Sequence, residues 1–332
     1  MNSELQSGVR VRAVGPHGKL GVVSPASCVE RSALEAGCRA LGKLNGWQVA
    51  TSPVALLQAE GGFAGNAATR AAALMEMWQR DDVDAVICSR GGYGSNYLLP
   101  LLDFDALRLM PKAFVGYSDN TCLLLALERA GLVAFHGPMV ASDFACGRAD
   151  EHSFRAALGG QALDLSFSEG SEVETLVAGE ARGTITGGCL SVAVTSLGTP
   201  WEIETEGRIL FLEDVNERPY RIDRMLRHLL LAGKFSRARG IVFGKMRGCA
   251  PDSPQDEPLA HMLLRVLDGL QVPIVLGFPS GHIDPGTTDP GTTDQGNITL
   301  PFGVPAALQA SRTGVRLQVE PAAFMAMHFA NT

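Results

Sequence analysis

The stretch Ala113 to Cys122, AFVGYSDNTC, holds a serine in a setting where a hydroxyl could act as a nucleophile. An apolar run leads into Gly116-Tyr117-Ser118-Asp119, and a helix-like run follows from Thr121 to Arg129. Strand, tight turn and helix in that order lift the hydroxyl out of a sheet. They also set the next backbone N–H at a helix N-terminus, where partial positive charge can stabilise an oxyanion. The fifth position of a G-x-S-x-G elbow is Asn120 rather than glycine. Taken alone, G-x-S-D is better read as Ser118 or Asp119 capping the helix.

Other residues with chemical capacity lie at the ends of apolar runs. Arg208 to Leu212 (RILFL) delivers Glu213-Asp214, where a catalytic carboxylate would be presented, although capping is the commoner use of such acids. Pro273 to Leu276 leads into Gly277-Phe278-Pro279-Ser280-Gly281-His282, a loop that leaves the histidine free to turn toward a neighbour. Val83 to Cys88 opens into Ser89-Arg90-Gly91-Gly92-Tyr93-Gly94. A glycine-rich turn lets backbone approach a ligand and exposes N–H groups to an anion or an oxyanion. It lacks the G-x-G-x-x-G spacing and the P-loop ending, which argues against a nucleotide phosphate. His136, in Phe135-His136-Gly137-Pro138-Met139, reads as a loop-pinning histidine in preference to a general base. Arg221 and Arg224 could bind a carboxylate, but ion pairs with Asp223 and Asp214 are the safer reading.

The elements that must position these residues alternate strand and helix. Strands are expected over Leu20–Val23, Trp47–Thr51, Val83–Cys88, Ala113–Val115 and Leu132–Phe135, with helices over 30–45, 67–80 (capped by Asn66) and 121–129. The pattern predicts an N-terminal α/β domain over 1–162 with a mostly parallel, flavodoxin-like sheet whose ligand groups gather at the strands' C-terminal ends. Periodicity fades over 163–183, which reads as a linker before a strand-rich C-terminal α/β domain over 184–332. Within that domain Asp284 to Asn297 carries the repeat Pro285-Gly-Thr-Thr-Asp289, Pro290-Gly-Thr-Thr-Asp294. Lacking EF-hand order, it reads as an inserted solvated loop.

Composition limits the alternatives. A chain of 332 residues exceeds the usual span of one hydrophobic core, so two domains are the natural expectation. Net charge of −7 and a pI near 5.5 offer no basic face for nucleic acid, though local arginines could hold a small anion. Seven cysteines without C-x-x-C spacing argue against a disulfide framework and a structural zinc site. No apolar stretch is long enough to span a bilayer and the N-terminus lacks signal-peptide features, so a cytoplasmic protein is expected.

The stretches SRGGYGSNYLLPLLD (89–103), VGYSDNT (115–121), FHGPM (135–139), GGCLSVAVTSLGTPW (187–201), LFLEDVNERPYRIDRML (210–226) and GFPSGH (277–282) together resemble the LD-carboxypeptidase family of serine peptidases. That family includes muramoyltetrapeptide carboxypeptidases and microcin C immunity peptidases. The resemblance implies a catalytic Ser118, Glu213 and His282, with an oxyanion hole formed by the backbone of Asp119 and Gly92. It implies a site between the two domains, no metal or organic cofactor, and a homodimer. The implied activity is removal of the terminal D-alanine from a murein tetrapeptide in peptidoglycan recycling, with Arg90 and Arg221 as partners for substrate carboxylates. Two alternatives stand beside it. One is hydrolysis of a microcin-type peptidyl nucleotide, for which Trp201 is the candidate aromatic surface. The other is a non-catalytic muropeptide binder.

Overall fold

The computed structural model describes residues 11–251, 257–283 and 296–324. The repeated PGTTD segment falls outside them. A two-residue strand, β1 (Val11–Arg12), stands apart from two larger sheets. The first sheet is built from β2 (Lys19–Val23), β3 (Gln48–Thr51), β4 (Ala85–Cys88), β5 (Ala113–Gly116) and β6 (Ala134–His136). All five are parallel, in the order β6-β5-β4-β2-β3. This is the flavodoxin-like order, in which ligands collect outside the carboxyl ends near the point where the winding reverses.

Burial explains why these segments are strands. Every residue of β4, β5 and β6 is buried, as expected where helices cover both faces of a parallel sheet. The helix Arg31–Lys43 turns Leu34, Gly37 and Leu41 inward, and Ala67–Gln79 is capped by Asn66, whose side chain accepts the Thr69 N–H at 2.8 Å. The helix Thr121–Arg129 buries every residue from Thr121 to Leu127 and packs on both β6 and a strand of the second sheet. The glycine-rich turn after β4 leads into a 3₁₀ helix over Ser95–Leu101 and not an α-helix, with Pro100 inside it denying the α-helical hydrogen bond.

The second sheet contains β7 (Leu163–Ser168), β8 (Glu174–Val177), β9 (Gly179–Cys189), β10 (Arg208–Val215), β11 (Gly240–Arg247) and β12 (Ile274–Leu276). The chain then returns to the first sheet, where β13 (Leu300–Phe302) pairs antiparallel with β6. It ends in β14 (Pro305–Ser311), β15 (Gly314–Val319) and β16 (Ala323–Phe324), the last paired with β1. The order is β7-β15-β14-β9-β10-β11-β12-β8, parallel from β9 to β12 and antiparallel elsewhere.

Residues 163–183 therefore carry β7, β8 and the start of β9, joined by short turns, and are not a linker. Leu163, Leu165 and Phe167 face inward while Asp164, Ser166 and Ser168 face water, the alternation of an edge strand with one wet side. The polar half of that alternation is what gives the segment its linker-like composition. Glu213 and Asp214 also lie inside β10 instead of after it. The pairing of β10 with β11 shifts register between Leu212 and Asp214, so the strand continues past a local irregularity at Glu213.

One apolar cluster runs through both sheets, joining Val86, Phe114 and Phe135 of the first to Ile185, Phe211 and Val242 of the second. A smaller cluster, including Leu210, Leu226, Phe243 and Leu263, lies on the outer face of the second sheet. No helix among the described residues is long and apolar enough to cross a membrane.

Candidate active site

The turn after β5 carries Ser118 with φ of +61°, a left-handed conformation that strains a residue with a side chain. A short 3₁₀ turn, Ser118–Asn120, then passes directly into the helix Thr121–Arg129. Strand, strained turn and helix thus hold the hydroxyl above the sheet, as the residue pattern predicts. Asn120 is fully buried and replaces the elbow's second glycine with a tether. Its Nδ2 donates to the Arg90 carbonyl at 3.2 Å and to the Tyr117 carbonyl at 3.3 Å.

The structure brings Ser118 together with the two residues from the second half of the chain. His282 Nε2 lies 3.1 Å from Ser118 Oγ, and His282 Nδ1 lies 2.6 Å from Glu213 Oε2. The His282 backbone N–H also donates to Glu213 Oε2 at 3.2 Å. The imidazole stands edge-on to the Tyr117 ring, with centroids 5.0 Å apart. Tyr117 is anchored in turn by its hydroxyl, which donates to Asp143 Oδ1 at 3.1 Å. This chain of contacts can pass a proton from the hydroxyl to the imidazole while the carboxylate fixes the ring.

Electrostatics favour an anion at Glu213. Burial opposes its ionisation, but the neighbouring His282, its hydrogen bond and the nearby His136 imidazole outweigh that and hold its pKa down to about 2. Burial likewise opposes a charged His282, yet Glu213, followed by Asp143 and Asp214, carries its pKa upward. The two shifts have a common origin in the contact between the ring and the carboxylate.

The glycine-rich turn after β4 forms the opposite wall. A Cβ on Gly91 would lie 3.1 Å from Ser118 Oγ and 3.5 Å from the Asp119 backbone nitrogen. Only a residue without one lets the backbone come this close. The neighbouring Gly92, with φ of +118°, faces Ser27 instead, where a Cβ would meet Oγ at 2.3 Å. Asp119 clamps the turn to the elbow: its Oδ2 accepts the Ser95 N–H at 2.8 Å and its carbonyl accepts the Ser95 hydroxyl at 2.7 Å.

These walls enclose a cavity of about 320 Å³ lined by Ser118, His282, Gly91, Gly92 and three arginines, Arg90, Arg148 and Arg247. Arg90 stands there as expected. Arg148 and Arg247 are additions: their local sequence carries no motif, and only the fold brings them to the cavity. The Arg148 guanidinium donates through one NH2 group to the Ser142 carbonyl, and its buried Nε has no hydrogen-bond partner.

Two expected substrate residues are not among the described residues lining this cavity. Arg221 is exposed on the helix Pro219–Leu231 and pairs with Glu217 at 3.5 Å, not with Asp223 or Asp214. Asp223 is taken by Arg265 at 3.0 Å, and Arg224 lies over the Tyr220 ring. Trp201 is partly buried against the large apolar cluster. Among the described residues no group of histidine, cysteine and acidic side chains is arranged to hold a metal ion. All seven cysteines are free thiols.

Two family models match the chain: the LD-carboxypeptidase N-terminal domain over residues 20–137 and the LD-carboxypeptidase C-terminal domain over residues 182–308. The "Probable murein peptide carboxypeptidase" of Bacillus subtilis (strain 168) is 36% identical over 311 residues, covering 92% of this chain and 93% of that protein. The microcin C7 self-immunity protein MccF of Escherichia coli is 28% identical over 285 residues, covering 75% and 77%. The crystal structure of muramoyltetrapeptide carboxypeptidase from Oxalobacter formigenes superposes with a TM-score of 0.80 at 29% identity, over 92% of this chain and 100% of that one.

Proposed function

This chain belongs to the LD-carboxypeptidase family, and we propose that it is a serine carboxypeptidase that releases the terminal D-alanine of murein tetrapeptides by cutting an L,D-peptide bond. The observation that carries this reading is the continuous contact from Ser118 through His282 to Glu213 at the wall of an arginine-lined cavity. Names of relatives that act on murein peptides support the substrate class.

In this reading Ser118 Oγ attacks the scissile carbonyl carbon as His282 Nε2 takes its proton. The backbone N–H of Asp119 and one from the Gly91-Gly92 turn receive the oxyanion, each worth about 3 kcal/mol of transition-state stabilisation. Collapse breaks the C–N bond, and His282 returns the proton to the departing D-alanine amine. Water, deprotonated by the same imidazole, then hydrolyses the Ser118 ester. Glu213 holds the ring and balances its charge throughout. The free carboxylate of the terminal residue finds Arg90 and Arg148 at the cavity wall, where guanidinium geometry suits carboxylate recognition.

The test is incubation with a disaccharide-linked or UDP-linked tetrapeptide and detection of free D-alanine by mass spectrometry. Ser118→Ala is expected to cut release by about 10⁴-fold or more; release at the wild-type rate would rule the nucleophile out. A microcin-type peptidyl nucleotide is run in parallel as the alternative substrate. The expected aromatic platform for it, Trp201, is not part of the cavity lining, which favours the murein peptide.

A further inference from the structure

His136 takes no part in the contacts that join Ser118, His282 and Glu213, yet it is packed directly behind them. It ends β6, is fully buried, and lies against the rings of Phe211 at 4.9 Å, Phe302 at 5.5 Å and Tyr117 at 5.6 Å. Its Nε2 faces Glu213 Oε1 at 3.9 Å, and both side chains are sealed from solvent. That is too long for a hydrogen bond, and neither atom has another partner.

The protons can be assigned from the far side of the ring. His136 Nδ1 lies 3.3 Å from Ser280 Oγ, but the serine's single hydrogen is committed to the Ile298 carbonyl at 2.7 Å. Ser280 therefore accepts, and Nδ1 carries a hydrogen. A neutral His136 would then turn an Nε2 lone pair toward a carboxylate oxygen, two acceptors facing each other in a dry site. A proton on Nε2 turns that repulsion into attraction and accounts for both unpartnered atoms together.

We propose that His136 is a positioning residue: a second, protonated imidazole that holds Glu213 Oε1 from behind, so that Oε2 stays on His282. It touches neither substrate nor reacting atoms and acts only through Glu213. The inference rests on the catalytic reading of Ser118, Glu213 and His282 given above. The charged and titratable groups around the pair are Glu213 and its neighbour Asp214 on β10, Tyr117 after β5, Asp143, and His282 on the far side of Glu213. Without the cation behind it, Glu213 would act on His282 alone, and the His282 imidazolium would become harder to deprotonate.

Two substitutions separate orientation from charge. His136→Leu removes donor and charge together. With murein tetrapeptide as substrate, kcat is expected to fall about tenfold at unchanged KM, as for a group that acts in the chemical step alone. The acid limb of the pH profile should move up by about one pH unit. His136→Gln places an amide N–H2 near the Nε2 position, so most of kcat should return while the limb stays raised. A purely structural residue would lower the amount of folded enzyme and leave the limb in place. The same shift is read without turnover by NMR titration of His282 in Ser118→Ala protein, with and without His136→Leu. That arm still reports on His136 if Ser118→Ala proves to be active, so failure of the positioning role and failure of the catalytic assignment are distinguishable. An unmoved His282 titration, or His136→Gln as impaired as His136→Leu with no change in limb, overturns the proposal.

Discussion

At Gly281 a Cβ would sit 2.5 Å from Glu213 Oε2, and the backbone there has φ of +103°. The glycine just before His282 therefore does two things: it turns the loop and leaves room for the carboxylate under the imidazole. The same closeness sets the pH behaviour. In the proposed mechanism His282 must be neutral to accept the Ser118 proton, and its pKa lies above the ordinary 6.5 once Glu213 has overcome the effect of burial. Activity should therefore be lost on the acid side at a higher pH than for an ordinary histidine, and kcat/KM should rise with pH through that raised pKa. Glu213→Gln removes the anion and should move the limb to lower pH while costing about 10³-fold in kcat. A full pH–rate profile of both proteins checks this; a limb that does not move on Glu213→Gln would detach the carboxylate from His282.

Loops after different strands are tied together beneath the cavity by one buried side chain that sequence reasoning did not single out. Arg70, on the helix Ala67–Gln79, donates from Nε to the Gly65 carbonyl at 3.1 Å. From NH1 it donates to the Gly94 carbonyl at 2.7 Å and to the Pro25 carbonyl. It thereby links the loop after β2, the turn before its own helix and the glycine-rich turn beside Ser118, and it lies over the Phe63 ring at 5.0 Å. A lysine cannot reach three carbonyls in that spread geometry. Arg70→Lys should cost about 2 kcal/mol in a urea titration, from buried charge-assisted bonds lost. It should also lower kcat more than KM, because the Gly91-Gly92 turn is no longer held against the elbow. Unchanged kcat at reduced stability would mean that the turn is held without it.

The two sheets are joined by a shared apolar cluster and by a buried polar contact. Glu128, at the end of the helix behind Ser118, accepts the Thr186 hydroxyl at 2.8 Å and pairs with Arg208 at 3.1 Å, both residues of the second sheet. Burial raises the Glu128 pKa to about 7, against the opposing pull of Arg208 and Thr186. An acid raised in the folded state binds more protons folded than unfolded between its ordinary value of 4.5 and about 7. Its contribution to stability therefore falls as pH rises across that window and is lowest above it. Urea midpoints at pH 5 and pH 8 should show this fall in the wild type and a smaller one in Glu128→Gln. Equal slopes in the two proteins would show that this carboxyl does not titrate in the window.

The residue order alone determined the strand-turn-helix around Ser118 and the parallel sheet that bears it, while Glu213 and His282 entered as the serine's partners only through the resemblance that an ordered set of motifs implies. These are local or ordered signals: an apolar run, a turn residue and a helical period are all read within a dozen positions. The period-2 burial of β7 was also present, but its polar face imitates a linker. What only the tertiary structure decided is which distant groups converge. Arg148, Arg70 and His136 carry no local mark of their use, since each owes its place to packing between segments far apart in the chain. Arg221 and Trp201 look suitable in sequence yet stand away from the cavity, because a helix and an apolar cluster claim them first. Direction in space is a property of the packed chain, and the distance from His136 to Glu213 exists only once β6 lies behind β10.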